Sequence, residues 1–135
     1  MSRPRAIDTL INSSFIDHAR AKAAGADGEE EGGGLGYLFK DLADRPVINT
    51  PAELIDVLDQ NDVGAAVVSI MEPGHADWVA DAHASFPRKI LPAMIVNPLN
   101  GMDEVRKVTH YVENHGVRCL RIPPFRYTLP PTDRV

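Results

Sequence analysis

Six side chains in this chain combine acid–base or hydrogen-bonding chemistry with a place in, or just after, an apolar run: Asp8, Asn12, Glu72, His75, Asn97 and Arg121. Asp8 and Asn12 sit in "RAIDTLINSSF", which ends in a pair of serines. Burying a carboxylate costs several kcal/mol unless something pairs with it, so Asp8 needs a reason, catalytic or structural. Glu72 and His75, in "MEPGH", supply a carboxylate and an imidazole, the usual carriers of general acid–base chemistry. Glu72-Pro73-Gly74 also reads as a plain turn. Asn97 can face a ligand or open the turn "NPLNG". Arg121, followed by Pro123, Pro124 and Phe125, can offer a bidentate fork to a substrate carboxylate, or can pair internally with Asp8 or Glu72.

Four runs of β-branched and apolar residues must position these groups: 5–12, 63–71, 89–97 and 117–125. Each reads as a strand. The second and third lack polar alternation, which predicts burial on both faces and a parallel sheet covered by helices. Helical patterns lie between them. "TPAELIDVLDQND" has Thr50 as N-cap, Pro51 at the first helical position and Glu53 completing a capping box, with Leu54, Ile55 and Leu58 on one face and Asn61 at the end. "HADWVADAHASF" repeats Trp78, Val79, Ala82 and Phe86 before Pro87. "NGMDEVRKVTHYVENHG" has Asn100 as cap, an apolar stripe of Met102, Val105, Val108 and Val112, and Gly116 as its stop. Alternating strands and helices predict an α/β architecture of parallel βα repeats with right-handed crossovers. In such folds the loops after the strands gather at the carboxyl edge, where sites are built.

Residues 17–46 break the rhythm. Six glycines and the run Glu29, Glu30, Glu31 predict a flexible acidic insert, within which "GLGYLFKD" is a candidate lid. Its "GGGLG" does not read as a phosphate cradle, because three glutamates precede it and would repel an anion. His75 and His83 are eight apart on one helix, roughly 12 Å, too far to share one ion, and both are expected to be solvated. His110 and His115 are expected to favour the negative end of the third helix. Cys119, the single cysteine, is expected to act as a small buried hydrophobe.

With 135 residues, 44% hydrophobic and 24% charged, the chain is expected to form one domain, 1–135, with a core that needs no disulfide. A net charge of -5 gives no footprint for phosphate backbones, so nucleic acid is not an expected partner. No apolar run approaches the roughly 20 residues that span a bilayer, and the N-terminus lacks a signal-peptide core, so no membrane partner and a cytoplasmic location are expected.

Taken together, "AIDTLIN", "INTPAELIDVLDQNDVGAAVVSI" and "NPLNGMDEVRKVTHYVENHGVRCLRIPPF" resemble the amidohydrolase superfamily, and within it the amidohydrolase-related group that includes aromatic-acid decarboxylases and small-ring hydrolases. The resemblance covers most of the chain outside the insert. It implies an eight-stranded TIM-barrel-like fold, which needs about 250 residues, so this chain corresponds to the N-terminal half of such a barrel. It also implies an Asp-x-His-x-His pattern on the first strand that holds a divalent metal. Here Asp8, Leu10 and Asn12 occupy those positions and, because side chains alternate along a strand, are expected to share one face. Leu10 offers no lone pair and Asn12 only an amide oxygen, so no bound metal is predicted and the cofactor is left open.

The resemblance implies hydrolysis or decarboxylation of a small carboxylated or cyclic substrate, with Asp8, Asn12 and Glu72 as catalytic candidates and Arg121, His75 and Asn97 as substrate-binding ones. A half-barrel alone is expected to have little activity. The alternative is a non-enzymatic half-barrel that self-associates, pairs with a complementary C-terminal half or binds a small ligand. Strand order discriminates: a half-barrel keeps 1-2-3-4, whereas an open flavodoxin-like sheet places the first strand centrally.

Overall fold

The computed structural model describes residues 5–17, 47–124 and Tyr127. Residues 18–46 of the expected insert, with its candidate lid, and Phe125 lie outside the described residues. Asp17, the first residue assigned to the insert, belongs instead to a helical turn begun at Phe15.

Strands β1 (Ala6–Asn12), β2 (Val63–Ile70), β3 (Ile90–Ile95) and β4 (Cys119–Arg121) alternate with helices α1 (Pro51–Gln60), α2 (Ala76–Ser85) and α3 (Met102–His115). The sheet order is β1-β2-β3-β4 and every pairing is parallel. Chain order within a curled parallel sheet is the half-barrel arrangement, and the open sheet with a central first strand is excluded.

One face of the sheet carries Ala66, Val68 and Ile70 of β2 with Ile90 and Met94 of β3, packed on Leu54, Ile55 and Leu58 of α1 and on Ala76, Val79 and Ala82 of α2. The register repeats this side across the ladder, pairing Ala66 with Ile90 and Ile70 with Met94. The α1 apolar face is therefore the predicted one. Its start is as predicted too: Thr50 Oγ1 accepts the Glu53 N–H at 3.3 Å. The Glu53 carboxylate reaches one residue further back than a capping box requires, to the Asn49 N–H at 2.7 Å.

Three elements depart from expectation. First, α3 starts at Met102 behind Gly101 rather than Asn100, and it turns a different face inward. Glu104 and Tyr111 are buried and Val108 of the expected apolar stripe packs against the core with them, while Met102, Val105 and Val112 of that stripe are 64%, 53% and 44% exposed. Glu104 and Tyr111 are themselves seven residues apart and so share a face; that face wins because Glu104 is bonded to the end of β3.

Second, β4 covers only Cys119–Arg121 of the predicted 117–125. Pro92 of β3 explains its late start. The Pro92 carbonyl accepts the Arg118 N–H at 3.0 Å, so its nitrogen also points toward β4 but has no proton to donate. Pro123 and Pro124 prevent extension at the other end.

Third, β1 does not alternate regularly. Asp8 pairs with Ala66 and Ile11 with Val68, so β1 spends one residue more than β2 over the same stretch. The Asp8 carboxylate accepts the Leu10 N–H at 2.8 Å, which holds the bulge. The apolar run thus contains a carboxylate because a half-buried Asp8 satisfies a backbone donor that leaves the ladder. Asn12, paired with Ser69, falls on the opposite face from Asp8, so the expected shared face of Asp8 and Asn12 is corrected.

Candidate functional site at the carboxyl edge of the sheet

On the face away from the helices, the register aligns Asn12, Ser69, Ala93 and Cys119 in a row across the four strands, with Arg121 one step beyond Cys119. Ala93, the small residue of this row, separates β4 from the polar side chains of β1 and β2. Arg121 crosses that gap. Its Nη1 donates to Ser69 Oγ at 2.6 Å and to Asn12 Oδ1 at 3.1 Å. Its partners are therefore a hydroxyl and an amide, where Asp8 or Glu72 was expected as an internal partner. Among the described residues Nε and Nη2 have no hydrogen-bond partner; together they form the side edge of the guanidinium, the one that matches a carboxylate.

Immediately below this group lies a second polar chain. Ser13, which follows β1, is fully buried; its N–H donates to Ser69 O at 3.0 Å and its hydroxyl oxygen accepts the Met71 N–H at 2.9 Å. The hydroxyl lies 2.8 Å from Nδ1 of His75, and His75 Nε2 lies 2.8 Å from Asp17 Oδ1. Beside a carboxylate the neutral ring carries its proton on Nε2, which leaves Nδ1 to accept the Ser13 O–H. His75 is 1% exposed, so its expected solvation is corrected: both ring nitrogens are used inside the fold. His83 also bonds internally, to the Ile90 carbonyl at 2.7 Å.

The remaining candidates are dispersed. Asn97 makes the predicted turn: its Oδ1 accepts the Leu99 N–H at 3.1 Å, and its own N–H donates to Glu104 Oε1 at 3.0 Å. Glu104, absent from the sequence-based candidates, also accepts Asn100 Nδ2 at 2.9 Å and Lys107 Nζ at 3.3 Å. Burial raises its pKa, but these donors outweigh burial and hold the carboxyl below its ordinary 4.5. Glu72 is exposed at the rim of a small cleft of about 50 Å³, shared with Met71, Met94, Lys107 and Tyr111, with space for a water or two. His110 and His115 pack around Tyr111, and the helix end is capped by Gly116 in the left-handed region. Cys119 is only partly buried, contrary to expectation.

The structure thus brings Asn12 and Arg121 together, places His75 beneath them, and leaves Asp8, Glu72 and Asn97 apart. It adds Ser13, Asp17 and Ser69. The serines had only their position after and within predicted strands to mark them, since a hydroxyl of short reach fits core, turn and site alike.

A divalent metal on the first strand does not fit the described residues. Leu10 has no donor, the Asn12 oxygen already receives a cationic guanidinium, and no group of three or more His, Cys, Asp or Glu side chains among the described residues could hold an ion. No family model, curated protein or solved structure matches this chain.

Proposed function

We propose that this chain is an amidohydrolase-related half-barrel whose carboxyl edge holds a small organic carboxylate, the substrate class of a hydrolase or decarboxylase. One observation carries the reading: Arg121 is fixed through Nη1 by Ser69 and Asn12, which leaves its Nε–Nη2 edge for a bidentate acid. An arginine held in advance loses little side-chain freedom when it binds, which favours affinity. The described residues contain no acid–base pair aimed at that edge, so the role supported for them is binding and orientation. Turnover is assigned to groups outside them.

Titration with benzoate, followed by the Arg121 side-chain resonances, tests the reading. Saturable millimolar binding is expected, weakened at least about tenfold by Arg121→Lys, which removes the fork but keeps the charge. Unchanged affinity together with lowered stability in Arg121→Lys would assign the guanidinium to internal pairing and end the proposal.

A second reading, self-association of the half-barrel, is favoured by apolar side chains exposed along both sides of the sheet. Leu120 and Ile122, in and just after β4, are 50% and 53% exposed, and Ile7 and Leu10 of β1 are 66% and 58% exposed.

A further inference from the structure

Resting on the carboxylate-binding reading, we infer that Ser13, His75 and Asp17 form a positioning unit for the Arg121 site, acting through Asn12 and Ser69 without touching the ligand.

The argument begins with what holds Arg121. Its two anchors lie on different strands, Asn12 at the end of β1 and Ser69 near the end of β2. The guanidinium edge is aimed correctly only if these strand ends keep a fixed relation to each other. A bulge lies just upstream on β1, between Asp8 and Ile11, so the ladder there is interrupted close to where alignment matters most.

The buried chain restores that alignment. From Asn12 onward, the Ser13 N–H donates to Ser69 O, the Met71 N–H donates to Ser13 Oγ, and Ser13 bonds the His75 ring, each within 3.0 Å. Ser69 and Met71 flank the end of β2, and His75 lies in the single turn that leads into α2. One residue, Ser13, therefore reads the position of β2 through backbone and side chain together. Its neighbour Asn12 carries the result to Arg121.

Asp17 fixes the direction of the chain. With its carboxylate on Nε2, the neutral imidazole presents a bare Nδ1 to Ser13, so the Ser13 proton points toward His75 and its lone pairs toward Met71. The other neutral tautomer would leave Nε2 without a proton beside the Asp17 carboxylate, acceptor against acceptor, and is disfavoured there. Order runs from an exposed carboxylate through a buried ring to a buried hydroxyl, and ends one residue from the guanidinium anchor. Removing a partner from such a chain leaves buried polar atoms unpaired, and the strand ends are free to shift.

The test uses the full chain and benzoate as the probe. In the wild-type protein the His75 ¹⁵N shifts should report the Nε2–H tautomer, and the Arg121 guanidinium signal should be resolved, because the two bonds at Nη1 restrict its rotation. Ser13→Ala and Asp17→Ala should each weaken benzoate binding about tenfold and broaden the Arg121 signal, while Ser13→Thr, which keeps the hydroxyl, restores both. Asp17→Ala alters an exposed side chain and guards against a core variant that fails to fold. If Ser13→Ala and Asp17→Ala fold and keep benzoate affinity and the Arg121 signal within about twofold of wild type, the inference is overturned. If the wild-type protein does not bind benzoate, the carboxylate reading fails, and the Arg121 signal in the same variants still decides whether these residues position it.

Discussion

Glu104 shows how a residue that looks ordinary in the sequence becomes structural in the fold. Nothing in the sequence singles it out; in the structure it is 6% exposed and satisfies the backbone N–H of Asn97. Because its folded pKa is lowered, its contribution to stability is fully present above the ordinary value of 4.5 and is lost as pH falls through the folded value. Acid titration of the denaturation midpoint should therefore show a loss below pH 4.5 that Glu104→Gln flattens. Glu104→Ala, which orphans the Asn97 donor, should cost about 1–3 kcal/mol in a denaturant melt. Asp59 is lowered in the same sense by the hydrogen bonds from Lys89 and Arg5, so the single variant is needed to isolate Glu104. At this scale the placement of Arg121 and Asn12 at the carboxyl ends of strands was legible, because each closes an apolar run. Ser13, Ser69 and Asp17 were not, because their roles depend on partners more than fifty residues away.

Among the elements, α1 was readable to its caps because Thr50, Pro51 and Glu53 act on neighbours within one turn. The inward face of α3 was not. Two stripes of similar spacing compete on that helix, and the choice is made by Glu104 reaching the loop after β3, a tertiary contact. The choice has a measurable consequence. Val105→Lys should leave stability within about 0.5 kcal/mol, whereas Tyr111→Ala should cost about 3 kcal/mol or more, both read from urea midpoints. The opposite ranking would mean that the helix is rotated. The β1 bulge was likewise hidden, since alternation in the sequence assumes a ladder without an extra residue, and Asp8 takes Leu10's donor out of that ladder.

For the molecule as a whole, βα alternation was enough to foresee a parallel sheet, and in the order β1-β2-β3-β4 each crossover steps to the next position. What covers the outer strands could not be read. Exposed Leu120 and Ile122 at the β4 edge, Ile7 and Leu10 at the β1 edge, and Met102 on α3 predict concentration-dependent association in sedimentation velocity, and Met102→Glu combined with Leu120→Lys should shift the population toward monomer. A compact monomer at every concentration would remove the self-associating reading and leave ligand binding untouched.

Pro92 gives this arrangement a weak seam. The β3–β4 ladder pairs three residues against five between β2 and β3, and one backbone donor is missing beside it, yet Arg121 rides on the shorter strand. Amide exchange should accordingly be fastest along Cys119–Arg121 and slow when an acid occupies the guanidinium, because an acid that needs the strand docked also holds it docked. Occupancy of the site and zipping of the last strand would then be one equilibrium, with a proline setting its resting point.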